Sequence, residues 1–218
     1  MKQIELKINV GCGPSGQIRN FDNIDNSPNI LLSKIPFLKK LLFKIGLIAE
    51  HQYKSNWSDV IRCDVSKGLP YSDQSVSKIY TSHFLEHIPK DRGSFFLREC
   101  FRILKTNGIL RIVVPDLLLH AEKYVESTKK LLHHSLLPDD RSSHDKFLET
   151  IFGAYLKKKR YGAEHYYMYD LPTLVSLLRS VGFQDIKKFD FQKGDDDELP
   201  SYDSRPIDSL HLEARKLT

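Results

Sequence analysis

The segment "SHFLEHIPKD", residues 82–91, places His83, Glu86 and His87 in an H-x-x-E-H spacing. On a helix, that spacing can hold zinc between two histidines, with a carboxylate working on bound water. Such a site needs both imidazoles on one helical face, a third protein ligand and an open coordination position. Here His83 stands at the end of a strand-like run, and Pro89 follows His87 by two residues. That context is wrong for a zinc hydrolase, so no metal site is expected. His83 is instead expected to close a ligand site, and Glu86 and His87 to pack or cap. A second histidine with chemical potential is His165 in "AEHYYMYD". A neutral imidazole can take the proton of an alcohol acceptor, and Tyr166, Tyr167 and Tyr169 around it offer ring surface and hydroxyls. The bland alternative for His165 is a histidine bonded to loop carbonyls beside core tyrosines.

The elements that must position these residues alternate between strand and helix. "IELKINV" alternates apolar residues with strand period, and "FDNID", "DVIRCD", "SVSKIYTS" and "ILRIVVPD" read as further strands. Residues 90–105 place Phe96, Cys100, Ile103 and Leu104 at helical spacing, and "KTNG" is expected to stop that helix. Helices are expected over 116–133 and 143–160. Another is expected over "DLPTLVSLLRSVGF", with Asp170 as N-cap and Gly182 at its stop. "QDIKKFDF" and "SLHLEARK" could form an antiparallel edge, with the acidic run "GDDDELPSYDSRP" between them as a solvated loop. The expectation is one α/β domain over 1–218: a Rossmann-like, doubly wound, mostly parallel sheet with an antiparallel edge strand and helices on both faces. A helical insertion is expected at about 31–57, and an acceptor-side or lid region at about 116–170.

Sheets of this kind bind ligands at the carboxyl ends of their strands. The first strand ends in Gly11, Gly13 and Gly16, the second at Asp25, the third at Asp64, the fourth at Ser82 and His83. Glycines bring backbone N–H groups close to a ligand, and an acid at a strand end can accept from ribose hydroxyls. Asp64 stands where a purine amino group could be read. The alternative for both acids is loop capping. Gly16 and Asp25 are nine residues apart, too close for the crossover helix of a dinucleotide fingerprint, and no G-x-x-x-x-G-K-[ST] run supports a triphosphate site.

Composition adds bounds. The chain has 218 residues and a formal charge of +5, a mild basic balance that does not argue for nucleic acid. Cys12, Cys63 and Cys100 form no CxxC pair, so neither a disulfide framework nor a thiolate zinc site is expected. No signal-peptide core or membrane-length run is visible, and a cytoplasmic setting is expected.

The stretches "INVGCGPSGQIRNFDNID", "IRCDVSKGLPYSDQSVSKIYTSHFLEHI", "LRECFRILKTNGILRIVVPD" and "HYYMYDLPTLVSLLRSVGF" resemble the class I S-adenosylmethionine-dependent methyltransferases. Within these the chain is similar to a bacterial branch of small methyltransferases associated with surface-polysaccharide genes. By that resemblance, S-adenosylmethionine is the cofactor and S-adenosylhomocysteine the product. Gly11, Cys12 and Gly13 would approach the methionine part, and Asp25, with Asn26 beside it, would hold the ribose. Asp64 and Val65 would contact adenine, while Ser82 and His83 would close the site. His165 would be the base and His83 the second candidate, with Tyr166 and Tyr169 meeting the acceptor. Asn9 stands where the family often has an acid, two residues before the first glycine.

Between strands two and three, Leu38, Leu41, Leu42, Ile45 and Ile48 share one helical stripe, with Lys39, Lys40, Lys44 and Phe43 off it. The stripe is expected to pack as a core face or lid. A dimer contact or an anionic-membrane surface over residues 36–49 stays open. Two functions follow as expectations. One is methyl transfer to a small molecule or glycan, a sugar hydroxyl foremost, in polysaccharide biosynthesis. The other is a non-catalytic or membrane-peripheral module that keeps the fold. A homo-oligomer is compatible with either, and the basic cluster "KKKR" at 157–160 is expected to be a solvated helix end.

Overall fold

Aliphatic side chains that alternate along a strand bury one face each time the chain crosses the core. In β1 (Lys7–Val10) and β2 (Asp22–Asp25), Ile8, Val10 and Ile24 are buried in this way. The chain is described here by a computed structural model over residues 5–133, 142–152 and 164–217. Further strands are β3 (Val60–Arg62), β4 (Val76–Ser82), β5 (Leu104–Pro115), β6 (Gln184–Phe189) and β7 (Ser209–Arg215). They form one seven-stranded sheet in the order β3-β2-β1-β4-β5-β7-β6. Strands β1 to β5 pair in parallel, and β7 runs antiparallel between β5 and β6. The order reverses between β1 and β4, the place where a doubly wound sheet opens a crevice beyond its strand ends.

Helices α1 (Asn29–Ser33), α2 (Pro36–Lys44) and α3 (Glu50–Lys54) lie in sequence between β2 and β3. Helix α4 (Lys90–Ile103) buries Gly93, Phe96, Leu97, Cys100 and Ile103 along one stripe. Helix α5 spans Leu117–His133 and α6 spans Ser142–Phe152; the rest of the helix expected to 160, with the "KKKR" cluster, lies outside the described residues. Helix α7 (Leu171–Val181) starts where the Asp170 carboxylate accepts the Thr173 N–H at 2.9 Å, and stops at Gly182, which takes the left-handed φ of +117°.

Three local expectations change. "KTNG" does not break the chain between helix and strand: α4 ends at Ile103, β5 begins at Leu104, and Asn107 takes a φ of +64° inside it. The stripe of α2 points the other way. Leu38, Leu41 and Ile45 are exposed, while Phe43 stacks on Tyr53 at 4.5 Å and Lys39 Nζ donates to the Ser55 carbonyl at 2.7 Å. The side carrying Lys39 and Phe43 therefore packs, because an aromatic partner and a carbonyl acceptor are waiting on α3 and its C-terminus.

The acidic run is not a solvated loop. Leu199 and Asp203 are buried, Asp196 pairs with Lys78 at 2.8 Å, and Glu198 pairs with Lys7 at 2.6 Å. Arg111, fully buried on β5, sends Nε to Asp203 at 3.1 Å, a short second bond to the same carboxylate, and one bond to Glu213 at 3.0 Å. A buried guanidinium needs such partners; Asp203 of the run and Glu213 of β7 supply them. No helix among the described residues is long and apolar enough to cross a membrane.

Candidate cofactor and acceptor site

The glycine loop is held from below. Asn9, buried, donates through Nδ2 to the Gly16 carbonyl and to Asn23 Oδ1, both at 2.8 Å. The residue that replaces an acid thus closes the loop on itself. Gly11 takes a φ of +74°, and a Cβ there would meet the Phe84 ring at 2.4 Å. Gly13, with φ +59°, faces open space. One glycine is required by a close neighbour and the other by its backbone conformation alone.

Asp25 stands at the end of β2, half-buried, and both its oxygens are already engaged. Oδ2 accepts the Gly13 N–H at 3.0 Å and Oδ1 accepts the Ser27 N–H at 2.8 Å. Each oxygen keeps further lone-pair capacity, so the carboxylate is fixed in orientation with acceptor positions left for hydroxyls. Asp64 accepts from the Ser66 N–H at 3.1 Å and from its hydroxyl at 2.7 Å, and the hydroxyl bond is the main reason its carboxyl titrates below the usual range. Capping and ligand binding are thus compatible at both acids.

The neighbours behave differently. Cys12 turns its side chain into a small core with Ile30, Trp57 and Val60, and burial, helped by the Asp25 charge, pushes its thiol up to about 12. It remains a thiol, so Cys12 can offer a ligand no thiolate. Val65 is buried in the main core. Asn26 is exposed beside Asp25. Ser82 and His83 end β4, and His83 takes a φ of +50° while its N–H donates to the Val113 carbonyl at 2.9 Å.

A cavity of about 460 Å³ opens at the reversal point, between Gly11, Ser82 and His83 on one side and Tyr202, Ser204 and Arg205 on the other. That volume lies in the usual range for small-molecule sites, roughly 300–1,000 Å³. Asp25 and Asp64 follow along the same carboxyl edge, outside its lining. Tyr80, Tyr202 and Arg205 were not singled out from sequence. For Tyr202 and Arg205 the signal was the aromatic and basic content of the acidic run, which Arg111 ties back through Asp203; Tyr80 sits in β4.

A second cavity, of about 530 Å³, lies between α5 and α6, lined by His120, Tyr124, Lys146, Phe147 and Asp208 among others. Both cavities adjoin the chain just before β7, through Ser204 and Arg205 on one side and Asp208 on the other.

The acceptor-side residues divide. The N–H groups of Tyr166 and Tyr167 both donate to the Glu86 carbonyl, at 2.7 and 3.3 Å, which clips this segment to the 3-10 turn Leu85–His87. Tyr166 is 62% exposed. Tyr169 is fully buried in the main core, where its hydroxyl has no hydrogen-bond partner. It belongs to the packing and not to an acceptor surface, because the turn after Tyr166 carries it under α4 beside Gly93. His165 is half-buried and donates from Nδ1 to the Thr150 carbonyl, and burial lowers its pKa. His83 lies on the first cavity and bonds Ser209 Oγ through Nε2 at 3.0 Å.

Residues 8–112, from β1 through most of β5, match the family model described as a methyltransferase domain. The match covers a little under half of the chain, and over that stretch the chain is similar to methyltransferase domains. No curated protein matches it in sequence. Solved structures agree with the fold. A SAM-dependent methyltransferase from Methanosarcina mazei aligns with TM-score 0.53 and 18% identity, over 99% of this chain and 94% of that one. Another from Archaeoglobus fulgidus aligns with TM-score 0.51 and 15% identity, over 97% and 86%. A Haemonchus contortus phosphoethanolamine N-methyltransferase, in complex with phosphomonomethylethanolamine and S-adenosylhomocysteine, aligns with TM-score 0.52 and 15% identity. This chain is covered in full there and spans half of that protein. The matched stretch contains the glycine loop, Asp25, Asp64, Ser82 and His83.

Proposed function

We propose that this domain transfers the methyl group of S-adenosylmethionine to a hydroxyl of a small molecule or glycan, a sugar hydroxyl foremost. The observation that carries the reading is the carboxyl edge of β1, β2 and β4. There a glycine turn borders a small-molecule cavity at the sheet's reversal point, and a pre-oriented carboxylate stands on the same edge beyond its lining. When bound, S-adenosylmethionine supplies a sulfonium-activated methyl; the protein's work is to align the acceptor and handle its proton. Asp25 fits the ribose hydroxyls through the lone pairs that Gly13 and Ser27 leave. Asp64 and the backbone of Val65 serve the adenine end, and Gly11, Gly13 and Ser82 the methionine end.

His83 is the residue we assign to the acceptor proton, since it lies on the cofactor cavity, where its Nε2 meets a hydroxyl, that of Ser209. His165 does not line that cavity, and its Nδ1 donates to the Thr150 carbonyl. The cavity between α5 and α6 is the acceptor's place: Tyr124 and Phe147 stack at 4.7 Å there and offer ring faces, and Lys146 offers a charge. The setting in this reading is cytoplasmic, and the pathway is surface-polysaccharide synthesis, in keeping with the branch that the sequence resembles.

Calorimetry with S-adenosylmethionine tests the premise: wild type binds, and Asp25→Ala binds weakly or not at all. Absence of wild-type binding at millimolar ligand would sink the reading. A methyl-transfer panel of nucleotide sugars and glycans then finds the acceptor, on which His83→Ala is expected to cost roughly 10²–10⁴-fold in rate. A membrane-peripheral role has one observation in its favour, the exposed apolar side of α2 with Phe37 at 79% and Leu47 beyond it at 69%. Flotation with anionic liposomes decides it.

A further inference from the structure

Glu86 sits in the 3-10 turn after β4, its side chain fully buried and neither carboxylate oxygen holding a hydrogen-bond partner. A buried carboxylate with no donor is strongly disfavoured. Three imidazoles surround it. His83 Nδ1 stands 3.3 Å from Oε1, out of hydrogen-bond alignment, and His87 Nε2 stands 3.8 Å from the same oxygen. The His165 ring meets the His87 ring edge-on, with centroids 4.9 Å apart.

The tautomers follow from the carbonyls behind. His87 donates Nδ1–H to the Glu164 carbonyl at 2.9 Å, and His165 donates Nδ1–H to the Thr150 carbonyl at 2.5 Å. Each ring therefore keeps its Nε2 lone pair free of a proton when neutral. Backbone carbonyls hold metal-binding histidines in this way: they fix the ring and leave the other nitrogen as ligand. One ligand atom from each of Glu86, His87 and His165 lies within 4.8 Å of the others.

We propose that Glu86, His87 and His165 form a two-histidine, one-carboxylate site for a divalent first-row transition ion, with coordination positions left open. Such a donor set suits zinc, iron or cobalt rather than calcium or magnesium, which prefer oxygen alone. Ligands on a tetrahedral ion about 2.1 Å away stand ~3.4 Å apart. The widest pair must therefore close by roughly 1.4 Å, within the reach of side-chain rotation on a turn. The cation supplies the partner that Glu86 lacks. The H-x-x-E-H spacing therefore misleads about which histidines meet. His83 flanks the site, and the second imidazole comes from 78 residues beyond His87, brought in by the clip of Tyr166 and Tyr167 onto the Glu86 carbonyl. The proposal does not rest on methyl transfer, and its readout is metal itself.

The test uses untagged full-length chain, stripped with chelator and titrated with Zn²⁺ against a chromophoric competitor, then with Co²⁺ by visible absorption. The expected result is one equivalent per chain. His87→Ala and His165→Ala should each weaken binding by at least roughly 100-fold, since even second-shell losses cost 10–100-fold. His120→Ala, in the cavity between α5 and α6, should bind as wild type. Histidine-¹⁵N NMR of the Zn²⁺-loaded wild type reads the ligating nitrogens without any variant, and Nε2 of His87 and His165 is the expected pair. Binding below one equivalent, ligation by other histidines, or folded variants that bind as wild type would overturn the site.

Discussion

Arg111→Met is the substitution whose cost can be worked most fully from the structure. Arg111 is fully buried and makes four hydrogen bonds: two to Asp203, one to Glu213 and one to the Lys193 carbonyl. Methionine fills much of the volume but leaves two buried carboxylates without their cation. Removing one partner of a buried ion pair typically costs about 3–5 kcal/mol. The loss does not double here, because each acid keeps backbone donors. Glu213 Oε2 still accepts from Asp195 N–H at 2.9 Å, and Asp203 Oδ2 from Gln192 N–H at 3.2 Å. Against a typical total stability of about 5–15 kcal/mol, this is a large share. In urea, with a slope of about 2 kcal/mol per molar, the midpoint should fall by roughly 1.5–2.5 M. Because the same acids tie residues 193–203 beside the first cavity, S-adenosylmethionine affinity should fall as well, measured by calorimetry below the new midpoint. A midpoint shift under about 0.5 M, with affinity unchanged, would refute both the energetic assignment and the role of Arg111 in shaping the cavity.

Gly11→Ala should abolish cofactor binding and lower the melting temperature, since the added Cβ meets Phe84 at 2.4 Å, whereas Gly13→Ala should cost only about 1 kcal/mol for its positive φ; equal effects of the two in calorimetry and melts would contradict the loop geometry. Leu41→Ser, on the exposed side of α2, should change stability by no more than about 0.5 kcal/mol, while Phe43→Ala should cost more through its lost stack on Tyr53; a reversed order in urea melts would return the stripe to the core. Burial, together with the nearby Lys123, lowers the pKa of His120. The unfolded chain then binds the proton more readily, so stability should fall as pH drops below about 6.5. His120→Asn should flatten that slope, and thermal melts from pH 7.5 to 5.5 measure it.

Features whose cause is local were legible in the sequence. Asp170 and Gly182 bound α7 because a side-chain acceptor and a left-handed residue act within a few positions of themselves. Gly11, Asp25, Asp64 and His83 could be ordered along one sheet edge because strand ends in an alternating chain must face one way. What could not be read depends on partners far along the chain. The inward side of α2 was set by Tyr53 and the Ser55 carbonyl, which the apolar stripe does not predict. Tyr169 and Tyr166 look alike in "HYYMYD", yet one is core and the other solvent-facing, a difference made by a backbone clip to Glu86. Arg111 in "ILRIVV" carried a signal, a cation in an apolar strand, but its counter-ions lie about ninety to a hundred residues later.

The antiparallel strand between β5 and β6 has a consequence for how the chain is made. β5 pairs along nearly its whole apolar half with β7, from Ile109↔Arg215 to Pro115↔Ser209. On a ribosome adding about 5–20 residues per second, the flank of β5 waits roughly 5–20 s for its neighbour. During that interval an aliphatic strand edge, with the Arg111 charge in its midst, stands open to other nascent chains, and exposed edges of this kind template aggregation. The sheet is completed from within, by a strand that emerges after both of its neighbours. Holding the growing chain until β7 arrives is therefore a natural task for a ribosome-associated chaperone, and the yield of intact protein should respond to translation speed across residues 116–208.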